Sequence, residues 1–192
     1  LTGRAIHFNI SRISFLEYFE YLYPDTKNNI FHLNELEKNF IDFQSFYEFR
    51  AKELNFAFEN YIKFGAYPEV LTTADTEEKK IILKSIIQTY IEKDIVNFLR
   101  IENVSGFNNL VKILMSQIGN LANVNELSNT TGLAVNTVKK YLNILIGTYI
   151  FDLMTPFYKN TRSEINKMPK IYALDLGIRN YMLRQFEIVD FG

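Results

Sequence analysis

The sequence predicts a mainly α fold in which a helical, lid-like region is followed by a winged helix-turn-helix with a small β-hairpin. Three observations carry that prediction. Over residues 77–99 the apolar side chains Ile82, Leu83, Ile86, Ile87, Tyr90, Ile91, Ile95 and Phe98 trace one wide stripe at helical spacing. Over residues 120–150 two shorter stripes, Leu121, Val124 and Leu127, then Val138, Tyr141, Leu142 and Leu145, flank a tight turn at Thr131-Gly132-Leu133. Beyond them, residues 149–157 and 170–174 switch to the pattern of strands.

Taken in order, residues 5–10 alternate, with Ile6, Phe8 and Ile10 on one side, as a short strand does. Ser14-Phe15-Leu16-Glu17 has the form of a capping box, so a helix starts there and stops before Pro24. After a polar loop at 25–29, the spacing of Leu36, Phe40, Phe43, Phe46, Tyr47, Leu54, Phe58, Tyr61 and Ile62 favours helices over 33–64. Phe64-Gly65-Ala66-Tyr67-Pro68 breaks them, because glycine permits a left-handed cap and proline biases Tyr67 away from helical torsions. The long stripe over 77–99 follows, then a connector at 103–106 and a helix over 107–118 built on Leu110, Val111, Leu114, Met115 and Ile118. Residues 158–168 form the polar tip between the two strands, and a last helix spans about 176–184, with Asp175 placed to cap it. The expected organisation is the end of a preceding core at 1–25, a helical linker at 26–105 and the winged domain at 106–192.

Composition narrows the function classes. With 47 % hydrophobic and 22 % charged residues and 4 prolines, the chain builds a core rather than remaining disordered, and no apolar run reaches the roughly 18–20 residues of a membrane span. Residues 1–105 carry 12 Lys+Arg against 16 Asp+Glu, net −4, whereas residues 106–192 carry 9 against 6, net +3. The positive half contains the helix-turn-helix. Zero cysteines remove disulfides, thiolate metal sites and thiol nucleophiles, and the isolated His7 and His32 make no zinc site. That usage fits a cytoplasmic protein, and a start at Leu1 suggests a segment of a longer one. Phosphate-loop, dinucleotide-fold and H-E-x-x-H motifs are absent from the sequence, so catalysis by this chain alone is not expected.

The second helix of the helix-turn-helix leaves Asn136, Lys139, Lys140 and Asn143 on the face opposite its apolar stripe. Such a helix fits the DNA major groove, where an asparagine pairs bidentately with adenine and lysines neutralise phosphate. Lys159, Arg162 and Lys167 on the wing tip add phosphate contacts in this reading. The alternative is that these are solvated side chains of a winged domain used for packing or oligomerisation. Glu92, Lys93 and Asp94 point in different directions on one helix and make no carboxylate pair.

Several stretches resemble a known family. Leu1-Thr2-Gly3-Arg4, the strand after it and Ser14-Phe15-Leu16-Glu17-Tyr18-Phe19 are similar to the end of the nucleotide-binding core of predicted AAA+ superfamily ATPases of bacteria and archaea. Phe64-Gly65-Ala66-Tyr67-Pro68-Glu69-Val70, Tyr90-Ile91-Glu92-Lys93-Asp94-Ile95, Asn136 to Leu142 and Lys167 to Gly177 resemble the domain of unknown function that follows that core. Ala66 stands where that family usually has a second glycine, and Ala134 where it often has a serine cap. The resemblance implies a parent ATPase using ATP and Mg, with the phosphate-binding core upstream and a further domain downstream as partners; no cofactor is expected in this chain itself. It makes Arg4 a candidate for sensing nucleotide, as arginine fingers do. The function expected on these grounds is a non-catalytic regulatory or DNA-binding module coupled to nucleotide state. Double-stranded DNA or a second copy of the chain is its expected partner, and a protein-interaction module without DNA binding is the alternative.

Overall fold

The computed structural model describes residues 12–26, 40–98, 100–156 and 168–187. The expected strand at 5–10 and the candidate residues Arg4, Lys159, Arg162 and Lys167 lie outside the described residues. Within them the chain is mainly helical, with one two-stranded antiparallel sheet.

Helix α1 (Phe15–Leu22) begins at its capping box: Ser14 Oγ accepts from Glu17 N at 3.3 Å, and Glu17 Oε2 accepts from Ser14 N at 2.7 Å. It buries Tyr18 and Phe19 against Ala57 of helix α2 (Phe40–Phe64) and Leu71 of α3 (Pro68–Thr72), a small core rimmed by Phe15, Phe46 and Tyr61. Helix α2 bends at Arg50, whose backbone leaves the helical region (φ −113°, ψ 18°) where its guanidinium pairs with Asp25 and Glu53. It ends at Gly65 (φ 79°), after which Tyr67 caps α3 and Pro68 occupies the first turn, where its missing N–H costs nothing.

Helix α4 (Thr76–Ile86) starts at Asp75, which accepts from Glu78 N at 2.8 Å. The single α-helix expected over 77–99 does not run through: from Ile87 to Phe98 the backbone widens to a π-helix. The buried residues there include Ile87, Ile91 and Ile95, four apart. A spacing of four lies between the 3.6 residues per turn of an α-helix and the wider turn that i→i+5 bonds make, so it is compatible with either.

Helix α5 (Val104–Ser116) starts three residues earlier than its apolar pattern indicates, because Asn103 is a cap and accepts from Gly106 N at 2.8 Å. Phe107, Leu110, Val111 and Leu114 are fully buried. They meet Val138, Tyr141, Leu142 and Leu145 of helix α7 (Val135–Gly147), with the rings of Phe107 and Tyr141 edge to face at 5.2 Å. Between them lies α6 (Val124–Thr131), closed by Gly132 in the left-handed conformation (φ 69°).

Strands β1 (Phe151–Met154) and β2 (Lys170–Ala173) pair antiparallel, with Leu153 opposite Ile171 and Asp152 opposite Tyr172. Phe151 and Ile171 face the core, while Asp152, Met154, Lys170 and Tyr172 face outward. Strand β1 starts later than expected, since Tyr149 takes a positive φ of 57° and turns the chain out of α7. Leu121, just before α6, bridges Lys170 of β2, supported by Ile171 N donating to Asn120 O at 3.1 Å. One main core runs from Phe64 to Ile178.

Helix α8 (Leu176–Leu183) closes against the end of α2. Asn180 Nδ2 donates to Ile62 O and Lys63 O, both at 3.0 Å, satisfying carbonyls that the end of α2 leaves open. Gly177 lies so close that a Cβ there would sit 2.0 Å from Phe64 O. Gly177→Ala is therefore expected to lower stability by about 1–3 kcal/mol in urea denaturation. Gly147→Ala, where a Cβ meets nothing within 4 Å, should instead be neutral or stabilising by less than about 1 kcal/mol.

Candidate functional site

Among the described residues, two of the places that gather polar side chains lie on α7 and around Asp175. The first is the outer face of α7. Val138, Tyr141, Leu142 and Leu145 are buried, and this leaves Asn136, Lys139, Lys140 and Asn143 exposed at relative positions 0, 3, 4 and 7, which is one continuous helical stripe. The helix itself carries no acidic residue, and neither lysine pairs with a described carboxylate. At its start Ala134 is extended (φ −61°, ψ 145°) but offers no side-chain cap, so one amide that a serine hydroxyl satisfies goes without.

The second place, which reading along the sequence did not assemble, surrounds Asp175. Its role as helix cap was legible locally, and Oδ1 does accept from Ile178 N at 3.0 Å. The other oxygen, Oδ2, accepts from Ala66 N at 2.9 Å, across 109 residues of sequence. Arg12 Nε stands 3.8 Å from the same oxygen. The Arg12 guanidinium also donates to Leu174 O and, at 2.8 Å, to Tyr149 O, and lies over the Tyr67 ring at 5.8 Å. Tyr90 donates to Thr148 O at 2.6 Å, so both residues of the corner after α7 are held from distant elements. Gly65 is required here, since a Cβ on it would lie 2.2 Å from Asp175 Oδ1. A cavity of about 10 Å³, room for roughly one water, lies among Arg12, Tyr67, Tyr90 and Asp175. Burial pushes the Asp175 carboxyl above its ordinary range, and the Ala66 and Ile178 amides and Arg12 pull it partly back. Burial likewise raises the Tyr67 hydroxyl.

A shared signal for this junction was present in the sequence: the stretches Phe64 to Pro68 and Leu174 to Gly177 are the two glycine-bearing segments that meet at it. Among the described residues no group of three His, Cys, Asp or Glu side chains could hold a metal, and no helix is long and apolar enough to cross a membrane.

The fold and these two places define a mainly helical domain with a small hairpin, an exposed amide-and-lysine helix face and a buried acidic junction. The chain belongs to the family described as Domain of unknown function (DUF8612), whose model matches residues 55–188. It is 26 % identical over 162 residues to the uncharacterized protein MJ1544 of Methanocaldococcus jannaschii, covering 77 % of this chain and 36 % of that protein. It is 25 % identical over 120 residues to the uncharacterized protein Rv2008c of Mycobacterium tuberculosis, covering 62 % of this chain and 27 % of that protein. The chain thus spans about a third of the length of the curated relatives it matches. No solved structure matches it.

Ala134→Ser is expected to stabilise the chain by about 1 kcal/mol in urea denaturation. At Asp175 the folded-state pKa is raised, so the folded form binds the proton more tightly than the unfolded chain does. The stability of the wild type relative to Asp175→Asn is therefore expected to be greatest below the ordinary carboxylate range and to fall as pH rises through the raised pKa. Urea midpoints for both proteins across that range check the sign.

Proposed function

We propose that this chain is a winged-helix module that contacts duplex DNA through α7, as the non-catalytic part of a longer AAA+-type ATPase. The observation that carries this reading is the α7 stripe of Asn136, Lys139, Lys140 and Asn143, exposed and free of acidic residues on a helix whose other side is fully used in packing. The chain order supports it: α5, the bridging residue Leu121, α6, α7, β1 and β2 succeed one another as helix, strand, two helices and hairpin do in winged domains. The ATPase reading rests on the sequence resemblance, and the greater length of the curated relatives leaves room for a core that binds ATP and Mg. Arg4 keeps its proposed role as a nucleotide-sensing residue of that parent, and Lys159, Arg162 and Lys167 theirs as wing contacts.

A second reading, a module that packs on the ATPase core or on another copy, is favoured by the exposed apolar residues of the hairpin side, Leu121, Met154 and Tyr172. The two separate in one titration. If α7 contacts phosphate, affinity for a duplex falls steeply with salt, and Lys139→Glu with Lys140→Glu lowers the log–log salt slope by about 2. An absence of duplex binding at low salt, or a slope unchanged by the double substitution, rejects the DNA reading.

A further inference from the structure

On the opposite side of α5 from its buried stripe, the C-terminal halves of α5 and α8 enclose an open groove of about 630 Å³. Lys112 and Ser116 come from α5, Arg179 from α8, and Arg184 from the residue that caps it. None of Asn136, Lys139, Lys140 or Asn143 lines it, so it is separate from the α7 stripe. We propose that this groove binds a phosphorylated small molecule.

The electrostatics favour an anion. Three cations face the groove, no carboxylate lines it, and none of the three is paired with a described carboxylate. The obvious counterweight is the pair of helix C-termini that meet there. Each is equivalent to roughly half a negative charge, so together they offset about one of the three positive ones. The groove stays positive.

Arg179 shows that one of these cations is held in place by the fold. Asn180, itself buried, spends its Nδ2 on Ile62 O and Lys63 O, which fixes its Oδ1 toward Arg179 Nη1 at 2.8 Å. Arg179 Nε is buried and has no acceptor. That atom is closed to solvent, so a ligand in the groove meets a guanidinium already held in place by Asn180 rather than this enclosed donor. A carboxylate is met in full by one guanidinium edge, whereas a tetrahedral dianion accepts from several sides at once, which is what cations converging from two helices provide. Met182 and Leu183 line the same groove, so an organic portion has some apolar surface to rest on.

The test uses the 192-residue chain with inorganic phosphate, pyrophosphate and adenosine monophosphate, each compared with sodium chloride at equal ionic strength. Thermal unfolding should rise by about 3–6 °C at a ligand concentration tenfold above Kd. By calorimetry, Arg179→Gln and Lys112→Gln should each weaken binding by roughly tenfold or more. Lys112 is exposed, so its variant remains folded and informative if Arg179→Gln does not fold. Binding of the inorganic ions as tightly as the nucleotide supports a plain phosphate site, and tighter nucleotide binding supports the apolar contribution of Met182 and Leu183. No shift beyond the chloride control, or a shift that survives both substitutions, overturns the proposal. So does loss of duplex-DNA affinity in Lys112→Gln without any small-phosphate binding. Lys139→Glu with Lys140→Glu should leave these shifts unchanged, which keeps this result distinct from the α7 titration.

Discussion

The carboxylate of Asp175 joins three parts of the chain that lie far apart in sequence. One oxygen starts α8 and the other holds the amide of Ala66 just past the end of α2, while Arg12 reaches the same group from the N-terminal side. A charge taken so far out of water is expensive unless donors surround it, and here two main-chain amides and a guanidinium do. Burial still prevails over them in setting its proton affinity. The geometry tolerates no side chain at Gly65 or Gly177, so the segments on either side of the carboxylate are as constrained as the carboxylate itself. Asn180 then locks the same two elements a turn further on.

Local patterns were legible, and contacts made across the chain were not. The capping box at Ser14, the left-handed Gly132 and the apolar stripe of α7 are each set by neighbours within a few residues, and the structure places them where that chemistry puts them. The exposed face of α7 was legible for the same reason, being what the buried stripe leaves over. Asp175 was legible only by half: its bond to Ile178 is local, whereas its bond to Ala66 is not. The widening of the helix after Ile87 was hidden because apolar spacing alone does not distinguish an α stripe from a π one when the isoleucines fall four apart. Lys112 and Arg179 are ordinary surface cations in sequence and become neighbours only because α5 and α8 pack.

The energetics divide unevenly. The main core reaches from Phe64 to Ile178 and lies within the residues that match the family, whereas α1 packs, among the described residues, on a second core built on Tyr18, Phe19, Ala57 and Leu71. Arg12 ties the residues before α1 to the corner after α7 and to the end of β2.

That tie also fixes an order of events on the ribosome. The acceptors of Arg12 lie 137 and 162 residues later in the chain, at Tyr149 and Leu174. At ordinary rates of synthesis they are made roughly 7–30 s after it. The Arg12 bonds to Tyr149 and Leu174 therefore form only after the corner past α7 and the end of β2 have been made, whereas Ile13 can already bond to Tyr61 and Ala66.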